Sequence, residues 1–199
     1  MEGPRRRDVR ESLDVPGQDA RELRLLLGDL RRVNRRYGGV RLVLRHLQRI
    51  LPPRCDRPLT LLDVAAGGAD VTRAAARWAA ERRIALRCVA LDRHPEMLAA
   101  AREQTGPGEA LAFVRADALA LPFGDHSVDV VICGMALHHF SPADAVRVLR
   151  EIDRVARRGF VVNDLVRSWP LYVAAWIDSR LLARSQLARR DAPTSALRA

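Results

Sequence analysis

The stretch LLDVAAGGAD, residues 61–70, decides how the rest of this chain is interpreted. It begins as an apolar run that contains Asp63, continues through small residues, and passes at once into VTRAAARWAAER, which has helical periodicity. Small residues are used where a backbone turns tightly or lies very close to another group. The stretch therefore predicts a strand, a tight loop that approaches a ligand, and a helix whose N-cap is Asp70.

The same alternation continues along the chain. Short runs rich in Val, Leu and Ile predict four further strands, in ALRCVALD (85–92), LAFVRAD (111–117), SVDVVICGM (127–135) and GFVVNDL (159–165). Helical stretches lie between most of them, with starts at Pro95 and at Ser141, where Asp144 completes a capping box, and a stop at Gly159. This order predicts an α/β fold with a three-layer, doubly wound, mostly parallel sheet.

The regions outside the sheet divide the chain further. Residues 1–18 are polar and broken by proline and glycine, which predicts a flexible arm. Two amphipathic helices, separated at Gly38, make residues 19–57 an N-terminal helical cap on a main domain at 58–199. After Leu165, the sequence predicts helix over 168–190 and a loop over DAPTSALRA (191–199), with no further strand.

The last predicted strand, GFVVNDL, would leave an apolar edge open to solvent, which natural sheets avoid. The family resemblance described below implies an antiparallel hairpin that completes the sheet, and the sequence offers none. We therefore expect either that the main domain is incomplete at its C-terminal side or that a second chain covers this edge as an oligomer.

Composition bears on partners and compartment. The net charge of +10 favours nucleic acid or an anionic surface as partner, but aromatic residues make up only 5% and do not interleave with the arginines, so nucleic acid is disfavoured. The three cysteines form no C-x-x-C pair, so neither zinc nor disulfides are predicted. The longest apolar run, 130–137, is too short to span a membrane, and we expect a cytoplasmic protein.

Two ligand classes compete for the loop after the first strand. A dinucleotide loop, G-x-G-x-x-G, would place Ala65, Gly67 and Asp70 at its glycine positions, and an acid at the third would repel a pyrophosphate. A phosphate loop with G-K-[ST] is excluded because the chain has no lysine. The second strand ends in Asp92, close to the spacing at which a carboxylate binds ribose hydroxyls.

Three segments resemble the motifs of class I S-adenosylmethionine-dependent methyltransferases, in their small-molecule, quinone-biosynthesis-like branch. DVAAGGA (63–69) is similar to D-x-G-x-G-x-G, with alanine at the outer glycines; LDRHPEMLAAAR (91–102) resembles the second motif and FVRADALALPF (113–123) the third. The resemblance implies a Rossmann-like fold and S-adenosylmethionine as cofactor. It implies cofactor contacts from Asp63, Ala65, Ala66, Gly67, Asp92, Arg93, Asp117, Ala118, Cys133 and Gly134.

Within that set, the resemblance assigns ribose binding to Asp92, the adenine flank to Arg93 and the adenine amino group to Asp117. Each acid also has a structural interpretation, as a cap or as ordinary turn chemistry. The fourth strand leads into CGMALHHF, so His138 or His139 is the candidate general base, while a loop-ordering role stays open. No metal is predicted, because adjacent histidines were expected to face apart and no third ligand is near them in sequence.

The predicted function is methyl transfer from S-adenosylmethionine to oxygen or carbon of a small, hydrophobic, phenolic or quinone-like acceptor. Asn34, Arg35 or Tyr37 from the first helix, and Asn163 and Asp164 from the end of the fifth strand, are candidate acceptor contacts. The alternative is a non-catalytic cofactor-binding or interaction protein of the same fold. A nucleic-acid methyltransferase is disfavoured because MALHHF stands where an N-P-P-Y-type motif is expected.

Overall fold

A five-stranded parallel sheet forms the centre of the molecule. The computed structural model describes residues 4–6, 11–12, 17–52, 55–106 and 111–199. The strands lie in the order β3-β2-β1-β4-β5 and every neighbouring pair is parallel. They are β1 (Leu59–Val64), β2 (Leu86–Asp92), β3 (Leu111–Arg115), β4 (Val128–Gly134) and β5 (Ala156–Asn163). The strand order reverses between β1 and β4, which is where such sheets bind ligands.

Seven α-helices accompany the sheet in the described part of the chain. They are α1 (Ala20–Arg36), α2 (Gly39–Ile50), α3 (Asp70–Glu81), α4 (Pro95–Glu103), α5 (Pro142–Val155), α6 (Trp169–Leu181) and α7 (Gln186–Arg198). Successive residues of β1 face opposite sides: Leu61 lies in a core with Val43 and Leu47 of α2, whereas Leu62 lies in a core with Ile152 of α5. Helices therefore cover both faces, and the predicted three-layer α/β fold is confirmed.

Of four helix boundaries predicted from local capping residues, two are confirmed and two are wrong. Ser141 caps α5 through the backbone N–H of Asp144, and Pro95 opens α4, as the sequence predicts. Asp70, however, is the first residue of α3, and its N-cap is Ala69. Gly159 does not stop α5, which ends at Val155; it lies inside β5 because the chain pairs with β4 directly after the helix.

The segment 191–199 was predicted to be a loop, and this prediction is wrong. Residues 191–198 continue α7 through Pro193, and Ser185 caps the helix through the N–H of Ala188. A proline inside a helix removes a hydrogen bond and would ordinarily disfavour it. Here burial of Ala188 and Ala196 supports the helix, so packing outweighs local propensity.

A buried acid joins the first helix to the last two. Asp29 of α1 accepts hydrogen bonds from the backbone N–H groups of Arg184 and Ser185, between α6 and α7, at 2.8 and 2.9 Å. Arg32 bridges Asp29 and Asp178 of α6, at 2.8 and 3.1 Å. These contacts hold α6 and α7 against α1 beside the carboxyl ends of the strands.

The described residues before α1 lie against this body. Glu11 is buried, and Ser12 donates hydrogen bonds from its backbone N–H and its hydroxyl to Asp191, both at 2.9 Å. Much of the predicted arm, 1–3, 7–10 and 13–16, lies outside the described residues. No helix among the residues described could cross a membrane. Within the same ranges, no strand follows β5.

Candidate functional site

A cavity of about 460 Å³ lies at the carboxyl ends of the strands. The loops after β1, β2, β3, β4 and β5 line one part of it, and α1, α6 and α7 line most of the rest. The volume falls within the range of small-molecule sites, about 300–1,000 Å³. The cavity therefore combines sheet-edge polar groups with a helical, largely apolar wall that includes Leu26, Leu30, Val33, Leu171 and Ala174.

The loop after β1 is held in a strained, close-packed form. Ala65 and Ala69 have φ of 56° and 52°, a left-handed conformation that glycine adopts more easily, and Gly67 between them has φ of 50°. A Cβ on Gly68 would come within 2.8 Å of a Leu27 methyl, so a larger residue here would force the Leu27 side chain of α1 to shift. The small residues thus serve both the turn and the approach of α1.

Asp92 ties this loop to the end of β2. One carboxylate oxygen accepts from the backbone N–H of Gly67 and the other from that of His94, both at 2.9 Å. A carboxylate offers about four acceptor positions, so two hydrogen bonds leave capacity for hydroxyl groups of a ligand. Asp92 lines the cavity, as the resemblance implied, although it also has the structural role of an acceptor for the turn.

Asp63 is almost fully buried beneath the loop. It accepts a hydrogen bond from the hydroxyl of Thr72 on α3. Burial raises its pKa to about 7; the Thr72 hydrogen bond opposes the rise, and the charges of Asp70 and Asp92 add to it. Near neutral pH, Asp63 is therefore a partly protonated carboxyl group that supports the loop from inside.

The remaining predicted cofactor residues divide into two groups. Ala65, Ala66, Gly67, Arg93, Asp117, Ala118 and Gly134 line the cavity together with Asp63 and Asp92. Asp117 is exposed and also accepts from the N–H of Leu119, which is ordinary turn chemistry. Cys133 does not line the cavity, because alternation along β4 turns its side chain into the core with α5, where burial raises the pKa of its thiol.

The two histidines after β4 lie in a short 3₁₀ turn, Leu137–His139, and both line the cavity. His138 Nδ1 lies 2.6 Å from a carboxylate oxygen of Asp164, and its backbone N–H donates to the other oxygen at 3.1 Å. Burial would raise the pKa of Asp164, but the hydrogen bond and the charge of His138 lower it further than burial raises it. Asp164 therefore orients His138 from both its ring and its backbone.

Glu11 completes a cluster that the sequence did not predict. Its carboxylate lies 4.0 Å from His138 Nε2, 3.8 Å from His139 Nε2 and 3.7 Å from the Arg198 guanidinium. Burial raises the pKa of Glu11, while the charges of His139 and His138 oppose that rise. Nothing in the sequence signals this meeting, because Glu11 lies in a polar segment far from the histidines along the chain. Of the predicted acceptor contacts, Asn34, Tyr37, Asn163 and Asp164 line the cavity.

Comparison with known proteins decides the family. Residues 62–162, about half of the chain, match the model described as a methyltransferase domain. The chain belongs to the methyltransferase domain family. This membership confirms the resemblance to class I S-adenosylmethionine-dependent methyltransferases, and with it S-adenosylmethionine as the family's cofactor.

Individual relatives agree with this methyltransferase assignment. The chain is 37% identical over 111 residues to the ubiquinone/menaquinone biosynthesis C-methyltransferase UbiE of Bradyrhizobium diazoefficiens, covering 54% of this chain and 42% of that protein. It is 38% identical over 101 residues to the demethylmenaquinone methyltransferase of Thermotoga maritima, covering 51% and 40%. The crystal structure of YcgJ from Bacillus subtilis shares the fold, with a TM-score of 0.52, 24% identity and coverage of 72% and 59%. The matches thus span under half of each of these two curated relatives.

The methyltransferase site has room for its cofactor. A Cβ built on Gly134 would meet no atom within 4 Å, and one on Gly67 only a Met97 methyl at 3.5 Å, so the backbone is open to a ligand at both strand ends. Asp92 keeps acceptor capacity beside this opening. The residues present therefore fit S-adenosylmethionine.

Proposed function

We propose that this protein binds S-adenosylmethionine through the loop after β1 and Asp92, and transfers its methyl group to a small apolar acceptor. The observation that carries the proposal is one continuous cavity, lined by the Gly67 loop and Asp92 at the sheet edge and by apolar side chains of α1 and α6. When bound, the cofactor supplies an electrophilic methyl group, so the protein has mainly to position the acceptor and to exclude water.

The roles of the sheet-edge residues follow from their chemistry. Asp92 accepts hydrogen bonds from the ribose hydroxyls with the capacity that the Gly67 and His94 N–H groups leave. Asp117 and Arg93 flank the adenine, the first as an acceptor for its amino group and the second through its planar guanidinium. Asp63 supports the loop and needs no contact with the ligand.

The helical wall sets the class of acceptor. Leu26, Leu30 and Val33 of α1 line the cavity, as do Leu171 and Ala174 of α6. Such an apolar lining favours a hydrophobic ring over a charged substrate. The names of two relatives, a ubiquinone/menaquinone biosynthesis C-methyltransferase and a demethylmenaquinone methyltransferase, point in the same direction, to methyl transfer in quinone biosynthesis. We propose a phenolic or quinone-like acceptor, methylated at carbon or oxygen, with His138 and His139 at the same cavity.

The test uses the full chain in two stages. Calorimetric titration with S-adenosylmethionine and S-adenosylhomocysteine is expected to show binding of both, with NAD as the negative control. Transfer of a labelled methyl group is then measured against phenols, reduced quinones and nucleic acid, and transfer to a phenol or quinol is the expected result. If neither S-adenosylmethionine nor S-adenosylhomocysteine binds, the proposal is refuted. Binding without transfer to any acceptor would support a non-catalytic cofactor-binding protein instead.

A further inference from the structure

We propose that Glu11, His138 and His139 form a binding site for a divalent transition metal ion such as Zn²⁺. One carboxylate oxygen and one nitrogen of each ring all lie within 4.8 Å of one another. Glu11 and His138 are buried and His139 is half-buried, and all three line the cavity. Ion binding here does not depend on the proposed function, because none of these residues contributes to the predicted cofactor contacts.

The distances fit a coordination site better than a set of hydrogen bonds. The two histidine–Glu11 separations, 4.0 and 3.8 Å, are too long for hydrogen bonds. Ligand atoms bound tetrahedrally at about 2.0–2.1 Å from zinc lie about 3.3 Å apart. An ion would therefore draw each histidine nitrogen and the Glu11 carboxylate together by about 0.5–0.7 Å. Since all three ligand atoms lie within 4.8 Å of one another, no pair has to close by more than about 1.5 Å.

The 3₁₀ turn allows two adjacent histidines to bind the same ion. The rings of His138 and His139 lie with their centroids 4.3 Å apart and their planes 35° apart, so both present Nε2 to the same carboxylate. In an extended strand, neighbouring side chains would point to opposite faces. The sequence-based prediction of no metal assumed that geometry and lacked a third ligand, and the fold supplies both the turn and Glu11.

Asp164 prepares His138 as a ligand. At 2.6 Å, Asp164 accepts a hydrogen bond from Nδ1–H of His138, and in that tautomer the Nε2 lone pair is directed at Glu11. Metal-binding histidines usually donate their other ring N–H to a carboxylate or carbonyl in this way, which fixes the tautomer and makes the ligand more basic. Asp164 is in this sense a positioning residue.

The third ligand is also held in place. Ser12, next to Glu11, is fixed to Asp191 of α7 by two hydrogen bonds of 2.9 Å. Arg198 lies 3.7 Å from Glu11 and donates to the backbone carbonyl of His139 at 2.8 Å.

Two imidazoles and one carboxylate are a donor set that suits Zn²⁺ and Fe²⁺ and leaves coordination positions open. Because the three residues line the cavity, an open position would face the bound acceptor. This step rests on the proposed function: an acceptor oxygen would bind the ion there, and the ion would stabilise its anionic form. The two histidines would then be ligands rather than general bases.

The test measures metal binding by the untagged, metal-stripped full chain. Titration with Co²⁺, a visible probe for zinc sites, is expected to give one equivalent of bound ion, and Zn²⁺ is expected to displace it. Glu11→Gln, His138→Gln and His139→Gln should each weaken binding at least tenfold, and Asp164→Asn by about 10- to 100-fold. His46→Gln is the matched control, because His46 does not line the cavity and should bind Co²⁺ like the unmodified chain.

Circular dichroism and urea unfolding establish that each variant is folded. Absence of a stoichiometric Co²⁺ site in the folded chain overturns the proposal, as does binding that none of the three ligand substitutions weakens. Calorimetry with S-adenosylmethionine on the same preparations separates the two proposals: a failed metal site with intact cofactor binding refutes only the metal, and the reverse refutes only the methyltransferase reaction.

Discussion

Replacing Asp92 with asparagine should weaken cofactor binding and lower the stability of the fold by a comparable free energy. The carboxylate accepts from Gly67 and His94 and keeps capacity for two hydroxyl hydrogen bonds. Asparagine keeps the shape but exchanges one acceptor oxygen for an NH₂ donor and removes the charge. Hydrogen bonds to a charged group contribute about 1.5–3 kcal/mol, so losing about one such interaction lowers affinity by about 10- to 150-fold.

The fold should also lose stability, because only one of the two backbone N–H groups keeps its acceptor. An N–H left facing the new NH₂ group costs about 1–3 kcal/mol of unfolding free energy. Calorimetric titration with S-adenosylhomocysteine measures the affinity, and urea unfolding measures stability in the absence of ligand. Asp153→Asn, an exposed acid on α5, is the control and should change neither quantity.

The outcome that contradicts this reasoning is specific. If the folded Asp92→Asn protein binds S-adenosylhomocysteine within threefold of the unmodified chain, the ribose hydroxyls do not depend on this carboxylate. The acceptor capacity beside Gly67 would then have no part in cofactor binding. A loss of affinity in the Asp153→Asn control would instead show that the net charge of the protein dominates.

Three further results are expected. In the folded protein, Asp63 keeps its proton up to about pH 7, whereas in the unfolded chain it loses the proton near its ordinary pKa of about 4. Its contribution to stability therefore declines by up to about 4 kcal/mol as pH rises from about 4 to about 7. Between pH 5 and pH 8, urea unfolding should show a smaller loss of stability for Asp63→Asn than for the unmodified chain, and equal losses would refute the buried proton. Ala65→Gly removes the steric strain of an alanine in the left-handed conformation and should raise the free energy of unfolding by about 0.5–1 kcal/mol without loss of cofactor binding. A fall in stability would mean that the strain is absent. Asp129 is buried at the opposite end of the sheet from the site, and its hydrogen bonds to Arg57 lower its pKa. Asp129→Asn should therefore lower the free energy of unfolding in urea by about 2–3 kcal/mol and leave cofactor affinity unchanged. A change in affinity would contradict the separation of the two sheet ends.

The sheet and its binding edge could be predicted because their signals are local. Apolar runs give the strands, and the right-handed crossover between parallel strands brings their carboxyl ends to one edge. Asp63, Gly67 and Asp92 follow directly from that placement. Cys133 shows the limit of such reasoning: it lies one residue from Gly134, but alternation along the strand turns its side chain away from the cavity.

The parts that were missed depend on contacts between distant segments. Glu11 meets the histidines only because α7 carries Asp191, which fixes Ser12. The helical state of 191–198 in turn depends on packing against α1 and α6, which outweighs the unfavourable Pro193. Neither contact leaves a periodic pattern in the sequence, so local propensity predicted an arm and a loop instead.

The hydrogen bonds from Ser12 to Asp191 and from Arg198 to His139 have a kinetic consequence. They connect the segment before α1, the turn after β4 and α7 across a single cavity, while the sheet makes its own ladder beneath them. Segments joined in this way exchange their amide protons as one cooperative unit, at a lower opening free energy than a central sheet. Hydrogen exchange is therefore expected to show α7 and the turn after β4 opening together, before the strands do.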